Sequence, residues 1–429
     1  MNIGADFTEY LSVVSSGSFT KIARLRFLNA DGTTAFVLDN NPKNKRAGAF
    51  IQDGNLNVNL QNGMRRKATI TLSNLDGDYN YNINKVWFGQ QIALDMGVML
   101  SGGREFYLPQ GVFYVSNPEE AFQPQSKTAK YNLVDKWAYL DGSLFGNLMG
   151  TMKINIGENI LQAIADTLLI DRFSAEQEKT GKNPIDGVSP ILTSYYNGKT
   201  VVRKSDGALI PVTDVPYTFI CDDIDGTLAD VLLGLNEMLV GVMGYNASGH
   251  FVLDPSQDDI SDLTKPVLWQ FSPDKNSFLG ATYSVKNGDV YNDIIVSGQS
   301  LSNSPDARGR ATNNDPASDT NVMIIGHKCK RISKTGFYAD KQCEDFALWT
   351  LKKQSVLQKS VSIRSTQLFH LAENNLIAVR RIDKDGSPIE RHLLTGYTLP
   401  IGQTGEMTLS CTSIADLPVL TGQETEEPK

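Results

Sequence analysis

The sequence predicts an α+β fold that is mainly β: two β-barrel domains with an α+β middle segment between them. Three observations predict it. Apolar and polar residues alternate through residues 56–133 and again after residue 279, the period of half-buried strands. Between these stretches the period changes to that of a helix, at Ile160, Leu161, Ile164 and Leu168 and again at Leu228, Val231, Leu232, Leu235, Met238 and Leu239. Several strands follow one another before residue 134 with no helix between them, and a small barrel or sandwich is the natural way to bury one face of such a run.

Residues 1–18 are short and polar-mixed, end in Ser15-Ser16-Gly17-Ser18, and read as an N-terminal arm. The first β-barrel domain is expected over 19–148. Ala23 to Leu28 is its first strand and Asn29-Ala30-Asp31-Gly32 a turn. Leu56, Val58 and Leu60, then Met64, Ala68, Ile70 and Leu72, flank Asn62-Gly63 and predict a hairpin. Its register follows from the two apolar rows. A two-residue loop would set them on opposite faces, whereas a three-residue loop with Gly63 left-handed pairs Leu60 with Met64 and puts both rows on one face. Asp76-Gly77-Asp78 is a further turn, and Ile92, Leu94, Met96, Val98 and Leu100 alternate strictly as a strand. The stretch from Gln110 to Leu148 closes this domain: Val112 to Val115 is a buried strand, Asn117-Pro118 breaks it, and Ala129, Tyr131 and Leu133 make the next. The two-residue period is lost at Asp135-Lys136-Trp137-Ala138-Tyr139-Leu140-Asp141-Gly142.

The α+β middle domain is expected over 149–278. It holds the two helices named above, a charged loop from Asp171 to Pro184, short β-like runs with turns at Asn197-Gly198 and Asp206-Gly207, and a strand through Phe251 and Leu253. The second β-barrel domain is expected over 279–418. Gly298 to Asn321 has almost no large apolar residues and reads as an exposed loop, 298–321. A helix follows over about 339–353, where Cys343, Phe346, Ala347 and Leu351 share a face, Asp340 lies near the start and Lys352-Lys353 near the end, as the helix dipole favours. Strands resume at Val361 and Ile363, Leu376 to Val379, Leu393 to Leu399, and Met407, Leu409 and Cys411; residues 419–429 are an acidic tail.

Composition excludes several functions. The net charge of −8 over 429 residues argues against nucleic-acid binding as the main role, since phosphate binding needs clustered Lys and Arg. Cys221, Cys329, Cys343 and Cys411 are scattered, as in a reducing compartment. No apolar run approaches the roughly 20 residues of a bilayer span, so no membrane anchor is expected. The start M-N-I-G-A-D-F-T-E-Y lacks the basic and apolar stretches of a signal peptide. Folding in a cytoplasm is therefore expected, with any export by another route.

No catalytic, cofactor-binding or metal-binding residue is predicted. His250, His327, His370 and His392 are not at metal-ligand spacing from one another, and His327 with Cys329 lacks a second pair. There is no phosphate loop ending in Gly-Lys-Ser/Thr and no Gly-x-Ser-x-Gly elbow. One motif offers chemistry. Asp223-Ile224-Asp225-Gly226-Thr227-Leu228, after a short apolar run, resembles the first motif of the haloacid-dehalogenase phosphatases. That resemblance implies a nucleophile at Asp223 and an acid/base at Asp225, with magnesium screening the charge. Gly288-Asp289-Val290-Tyr291-Asn292-Asp293 resembles the late acidic motif of the same family. Against this, the apolar run is interrupted by Asp222, and the interval between the motifs is too short for several β-α crossovers at roughly 30 residues each. Helix capping by Asp225 or Thr227 accounts for the same residues, and Asp223 and Asp289 are not expected to converge. A calcium loop fails because Cys221 would occupy its first ligand position. The basic run Met64-Arg65-Arg66-Lys67 lies in the hairpin and reads as a solvated edge or subunit contact.

The chain as a whole resembles the baseplate hub or tail-tip hub (tail-associated) proteins of tailed bacteriophages. The resemblance is carried by the hairpin Leu56 to Asn74, by Trp87-Phe88-Gly89-Gln90-Gln91-Ile92-Ala93-Leu94, Gly111-Val112-Phe113-Tyr114-Val115, Asp135-Lys136 and Leu140-Asp141-Gly142. At the other end it rests on a helix, on Val361-Ser362-Ile363 and Leu376-Ile377-Ala378-Val379, and on Thr412-Ser413-Ile414-Ala415-Asp416-Leu417-Pro418. It implies two tail-tube-like barrels per subunit and a homotrimeric ring of six barrels that adapts a six-fold tube to a three-fold tip. It also implies a tail tube or distal tail protein above, a spike, fibre or tape-measure protein below, and phage DNA passing through the channel without specific binding. The protein would then be a virion component assembled in the bacterial host cytoplasm. Many relatives carry a C-terminal peptidoglycan-cleaving or receptor-binding extension, for which this sequence leaves no room after Leu417-Pro418. A distal tail ring protein is the alternative within the same ancestry, and the long helical middle segment favours the hub. A lumen that releases DNA is expected to be neutral or acidic.

Overall fold

Seven strands come first: β1 (Lys21–Leu28), β2 (Thr34–Asp39), β3 (Ala49–Asn59), β4 (Arg66–Asn74), β5 (Gln91–Met99), β6 (Glu105–Gln123) and β7 (Ser126–Asp135). The computed structural model describes residues 4–29, 31–41, 49–82, 86–87, 89–124, 126–174, 178, 182–222, 224–255, 266–286, 290–299, 305–355, 358–381, 389–402 and 404–413. The expected acidic tail 419–429 therefore lies outside the described residues, as do Asp223 and Asp289. The middle of the chain supplies β8 (Met152–Ile154), β9 (Ile191–Leu192), β10 (Thr200–Val202), β11 (Leu209–Pro211), β12 (Phe219–Cys221), β13 (Gly241–Tyr245) and β14 (Phe251–Pro255). The remainder supplies β15 (Trp269–Phe271), β16 (Phe278–Lys286), β17 (Asp293–Ser297), β18 (Arg308–Thr312), β19 (Cys329–Ser333), β20 (Gln358–Ser365), β21 (Leu376–Arg380), β22 (Ile389–Pro400) and β23 (Met407–Ser413).

The fold is α+β and mainly β, as expected, but the β parts are not two separate closed barrels. Among the described residues they form one 13-stranded sheet in the order β16-β20-β23-β22-β3-β4-β7-β6-β5-β1-β2, with β21 on β22 and β15 on β21. The joint is β22. Its first part, Ile389–Leu393, pairs with β21, and its last part, Gly396–Pro400, pairs with β3 at Asn55–Asn59. The first half curls until β2 lies beside β3 with no ladder between them among the described residues. Both halves share one apolar core, from Leu25, Leu56 and Ile70 to Ile363, Leu399 and Leu409. Each of these side chains is worth roughly 1.5–3 kcal/mol when fully buried.

The hairpin register is the one the apolar rows require. Val58 faces Arg66 and Leu56 faces Ala68, so the same register carried to the tip sets Leu60 opposite Met64. Gly63 has φ +96°, the conformation such a loop needs. β6 corrects one expectation. Asn117-Pro118 does not end the strand; a bulge between Ser116 and Glu119 absorbs the pair, with Asn117 at φ +44°, and β6 continues to Gln123 beside β7. The expected arm 1–18 is also corrected, because α1 (Ala5–Ser15) is a helix with Tyr10 and Val14 fully buried. Phe7, Tyr10, Leu11 and Val14 sit at helical spacing, and that stripe docks where the two halves meet. Tyr10 Oη accepts from Phe369 N (2.9 Å) and bonds His370 Nδ1 (3.0 Å), while the rings of Phe7 and Tyr10 pack on Phe106.

Two smaller units complete the chain. The middle unit has its own core around α2 (Ile160–Leu168) and α3 (Leu228–Leu239), roofed by Trp137, Tyr139, Tyr245 and Phe251. The hairpin tip plugs into it: Gly63 N donates to Met243 O (3.0 Å) and Met243 N to Asn62 Oδ1 (2.8 Å). The cut expected at residue 278 falls between β15 and β16, which both belong to the large sheet. The third unit, β18-β17-β19 covered by the helix Asp340–Gln354, leaves the sheet after β16 and re-enters it at β20. The segment 298–321 is not simply an exposed loop. It contains β18, and the buried Asn313, Asp315, Ser318, Thr320 and Asn321 are hydrogen-bonded to one another and to the backbone. Low apolar content signals exposure only when polar side chains are not satisfied internally.

Candidate assembly surfaces

Of the described residues that offered chemistry, Thr227 and Asp293 make structural bonds. Thr227 is the N-cap of α3 in a full capping box: Thr227 Oγ1 accepts from Asp230 N (3.2 Å), and Asp230 Oδ2 accepts from Thr227 N (2.9 Å). Asp225 is exposed. β12, which precedes the motif, pairs antiparallel with β8 in a two-stranded sheet, so it is not the central parallel strand from which a phosphatase nucleophile projects. Asp293, the described acid of the second motif, is buried. Arg310 holds it through two bonds (2.8 and 2.6 Å) and His327 Nδ1 lies at 2.9 Å, which keeps the carboxyl down at about 2. His327 is thus turned to Asp293 rather than toward Cys329. Among the described residues no group of three or more His, Cys, Asp and Glu is placed to hold a metal ion.

The basic run in the hairpin is corrected. Arg66 is 1% exposed and Arg65 4%, so neither lies on a solvated edge. Arg66 reaches across the joint of the sheet, donating to Gln110 O (3.0 Å), to Tyr397 Oη (3.3 Å) and to Glu373, whose other oxygen lies 3.9 Å from Arg65. Behind them Asp135 accepts from Arg65 N (2.8 Å), Arg66 N (2.9 Å) and Trp137 N (3.0 Å). Burial raises the Asp135 carboxyl to about 6 against these bonds. Beside it, Lys136 Nζ bonds Asp186 Oδ1 (2.5 Å) and Gly249 O (3.1 Å), tying the sheet to the middle unit. Arg65, Arg66 and Asp135 in this cluster are each no more than 4% exposed. The cluster fixes how the two halves and the middle unit sit on one another. Local sequence could not show it, because its partners at 110, 135, 373 and 397 are far apart in the chain.

Three surfaces are open for assembly. The first is β16, the edge of the large sheet, bonded on one side only among the described residues and carrying exposed Leu279. The second lies where 152–154 pair antiparallel with 219–221 and Asn147 bridges Thr227, a ribbon that exposes Met149, Ile220 and Ile224 together with Asp222 and Asp225. The third is the outer face of β18-β17-β19 with the helical turn Val322–Ile325. There Met323, Ile324 and Ile325 are exposed a few residues before exposed His327 and Lys328, and Arg310 and Arg331 are exposed on the strands. Contiguous exposed apolar side chains of this kind mark interaction sites.

Neither a protein-family model nor a curated protein matches the sequence. Solved structures do match the fold from end to end. The prophage MuSo2 43 kDa tail protein of Shewanella oneidensis aligns over 91% of this chain and 98% of its own, at 11% identity and a TM-score of 0.53. The tail protein of Neisseria meningitidis MC58 aligns over 92% and 97%, at 9% identity and 0.54. Prophage tail protein gp18 of Listeria monocytogenes EGD-e aligns over 92% and 95%, at 9% identity and 0.52. The fold of this chain is that of phage tail proteins.

Proposed function

We propose that this protein is a structural hub of a phage tail tip or baseplate. The observation that carries the reading is the nearly full-length correspondence with three tail proteins, two of them from prophages, which leaves little of either chain unmatched. The large sheet adds support. Two curled halves in one chain, rigidly joined at β22, provide two wall segments per subunit, and its outermost strand β16 is an open edge. Head-to-tail contacts between such subunits close into a ring when the rotation permits. Three copies would supply six wall segments, matching a six-fold tube above to a three-fold tip below. The ring would anchor a spike or fibre, surround the DNA path with a neutral or acidic lumen, and act mechanically rather than as an enzyme. Reconstruction of an assembled tail tests this. The expected result is three copies in a ring at the tip; six copies in the ring, as for a distal tail protein, or a position elsewhere in the particle, refutes it.

A further inference from the structure

We infer that the third unit of one copy docks on the middle unit of the next, the apolar-basic tip Met323–Ile325 with Lys328 and Arg331 seating on the apolar-acidic ribbon of Met149, Ile220, Ile224, Asp222 and Asp225. This rests on the ring reading above and names the contact that would close it. Each surface exposes large apolar side chains that a solvated surface does not need: Met323 is 88% exposed and Ile324 62%, against 81% for Ile224 and 67% for Met149. Lys328 and Arg331 make the tip basic, while on the ribbon Asp222 and Asp225 outnumber the exposed Lys153, which lies cross-strand from Ile220, so the two surfaces differ in sign, as steering and register at an interface require.

Both surfaces are held in place rather than loose. The turn Val322–Ile325 begins at Asn321, whose Oδ1 accepts from Met323 N (2.8 Å) and whose Nδ2 donates to Asp315 O (2.7 Å). It ends at Gly326, whose carbonyl accepts from the buried Asn292 (2.8 Å). The ribbon is pinned by Leu148 N donating to Gly226 O (2.9 Å) and by the capped start of α3. Little ordering entropy is then lost on contact.

Contacts within one copy set the two surfaces at different ends of their units. The third unit touches the middle unit at its opposite end, where Thr335 Oγ1 donates to Glu237 Oε2 (3.0 Å), Lys204 N to Tyr338 O (3.0 Å), and Lys334 lies 3.8 Å from Glu237. Glu237 is near the end of α3, and the ribbon is at its start, about 14 Å away at 1.5 Å per residue. On the other side, Met323–Ile325 lie at the end of the third unit where Asn292, Thr320 and Ser355 meet, away from Thr335. The two surfaces thus face outward from opposite ends of the joined units. That is the arrangement of a heterologous, head-to-tail contact. A few apolar anchors per side fall short of the roughly 800 Å² per partner of a stable complex, so the contact is weak alone and strengthens when a ring closes.

The test is zero-length carbodiimide cross-linking of an equimolar mixture of nitrogen-15-labelled and unlabelled full-length chain, read by mass spectrometry. Cross-links between Lys328 of one isotope and Asp222 or Asp225 of the other are expected. Arg331→Glu alone and Asp225→Arg alone should each cut the yield of the Lys328–Asp222 cross-link roughly tenfold, and the double variant should restore it, as for a charge pair across an interface. Ile324→Ser should lower the yield without changing charge, and thermal melts of each variant control for folding. Intermolecular cross-links elsewhere that ignore these reversals overturn the docking and leave the ring standing. No intermolecular product at any concentration also overturns the docking, while the ring is judged separately on the assembled tail. Binding of duplex DNA or anionic vesicles by the wild-type chain, lost in Arg331→Glu without any such cross-link, assigns the basic face to another partner and overturns it too.

Discussion

Glu373→Gln tests the joint of the sheet. Glu373 is the carboxylate that faces the guanidinium groups of Arg66 and Arg65 in a region from which water is excluded. The amide keeps the shape but removes the charge, leaving two buried cations with Gln110 O and Tyr397 Oη as neutral acceptors for Arg66. Asp135 cannot replace Glu373, because its oxygens are taken by the backbone N–H groups of Arg65, Arg66 and Trp137. Breaking one partner out of a buried pair costs about 3–5 kcal/mol, a large share of the 5–15 kcal/mol typical of a whole domain. Urea unfolding should be followed by far-UV circular dichroism and by tryptophan fluorescence, since a chain with several units need not unfold in one step. The large sheet should lose its stability first. The double variant Arg66→Met, Glu373→Gln, which removes both charges of the close pair, should recover much of the loss. A loss below about 1 kcal/mol in Glu373→Gln would place the pair among solvated surface bridges and refute the reasoning.

Other expectations follow from single contacts. Burial pushes the His370 imidazole down to about 4, so the fold binds its neutral form; stability is full above about pH 6.5 and is lost as pH falls through 4, on the order of 3 kcal/mol. His370→Gln should flatten that part of the pH profile in thermal melts, and Tyr10→Phe should free α1 to limited proteolysis. Thr227→Ala should cost about 1 kcal/mol through the lost cap of α3, seen as a lower urea midpoint for the middle unit, with no change in any phosphoesterase background. Gly309→Ala should displace the helix Asp340–Gln354 from β18, because a Cβ there would stand 2.2 Å from Glu344 N; faster amide exchange in that helix checks it.

The legible parts of this chain were the local ones. Alternation marked β5, a turn glycine with two apolar rows fixed the register of β3 on β4, and an apolar stripe with a Thr cap marked α3, because each is decided by neighbours within a few residues. The missed parts depend on distant partners. Asn117-Pro118 reads as a break until β7 is seen to carry the ladder past a bulge. Arg65-Arg66 reads as a solvated run until Glu373 and Tyr397 arrive from the other half. The polar stretch 313–321 reads as exposed because nothing local says that Asn313, Ser318 and Thr320 bond one another. α1 was different in kind: Phe7, Tyr10, Leu11 and Val14 gave a helical signal on the page, and the serines after it masked it. Of the assembly surfaces, the acidic motif and His327 carry local signals, and both read as chemistry rather than as contact.

The ion cluster and the shared strand have one mechanical consequence. If two tethered barrels were joined by a linker, each would be free to rotate, and one chain could not hold two wall segments at a set spacing. Here β22 gives its first part to β21 and its last part to β3, so relative rotation of the halves has to break ladder hydrogen bonds. Arg66 and Glu373 add a penalty to the same motion, since opening the joint separates buried opposite charges. α1 clamps a further point, with Tyr10 bridging Phe106 in one half to Phe369 and His370 in the other. Rigidity is therefore concentrated where the halves meet, while exposed apolar side chains lie both on the appended units, as at Ile224 and Met323, and on the large sheet, as at Phe122, Leu279 and Ile389. Under the proposed ring, a subunit built this way carries the spacing of its two wall segments within the chain and leaves the contacts between chains to assembly.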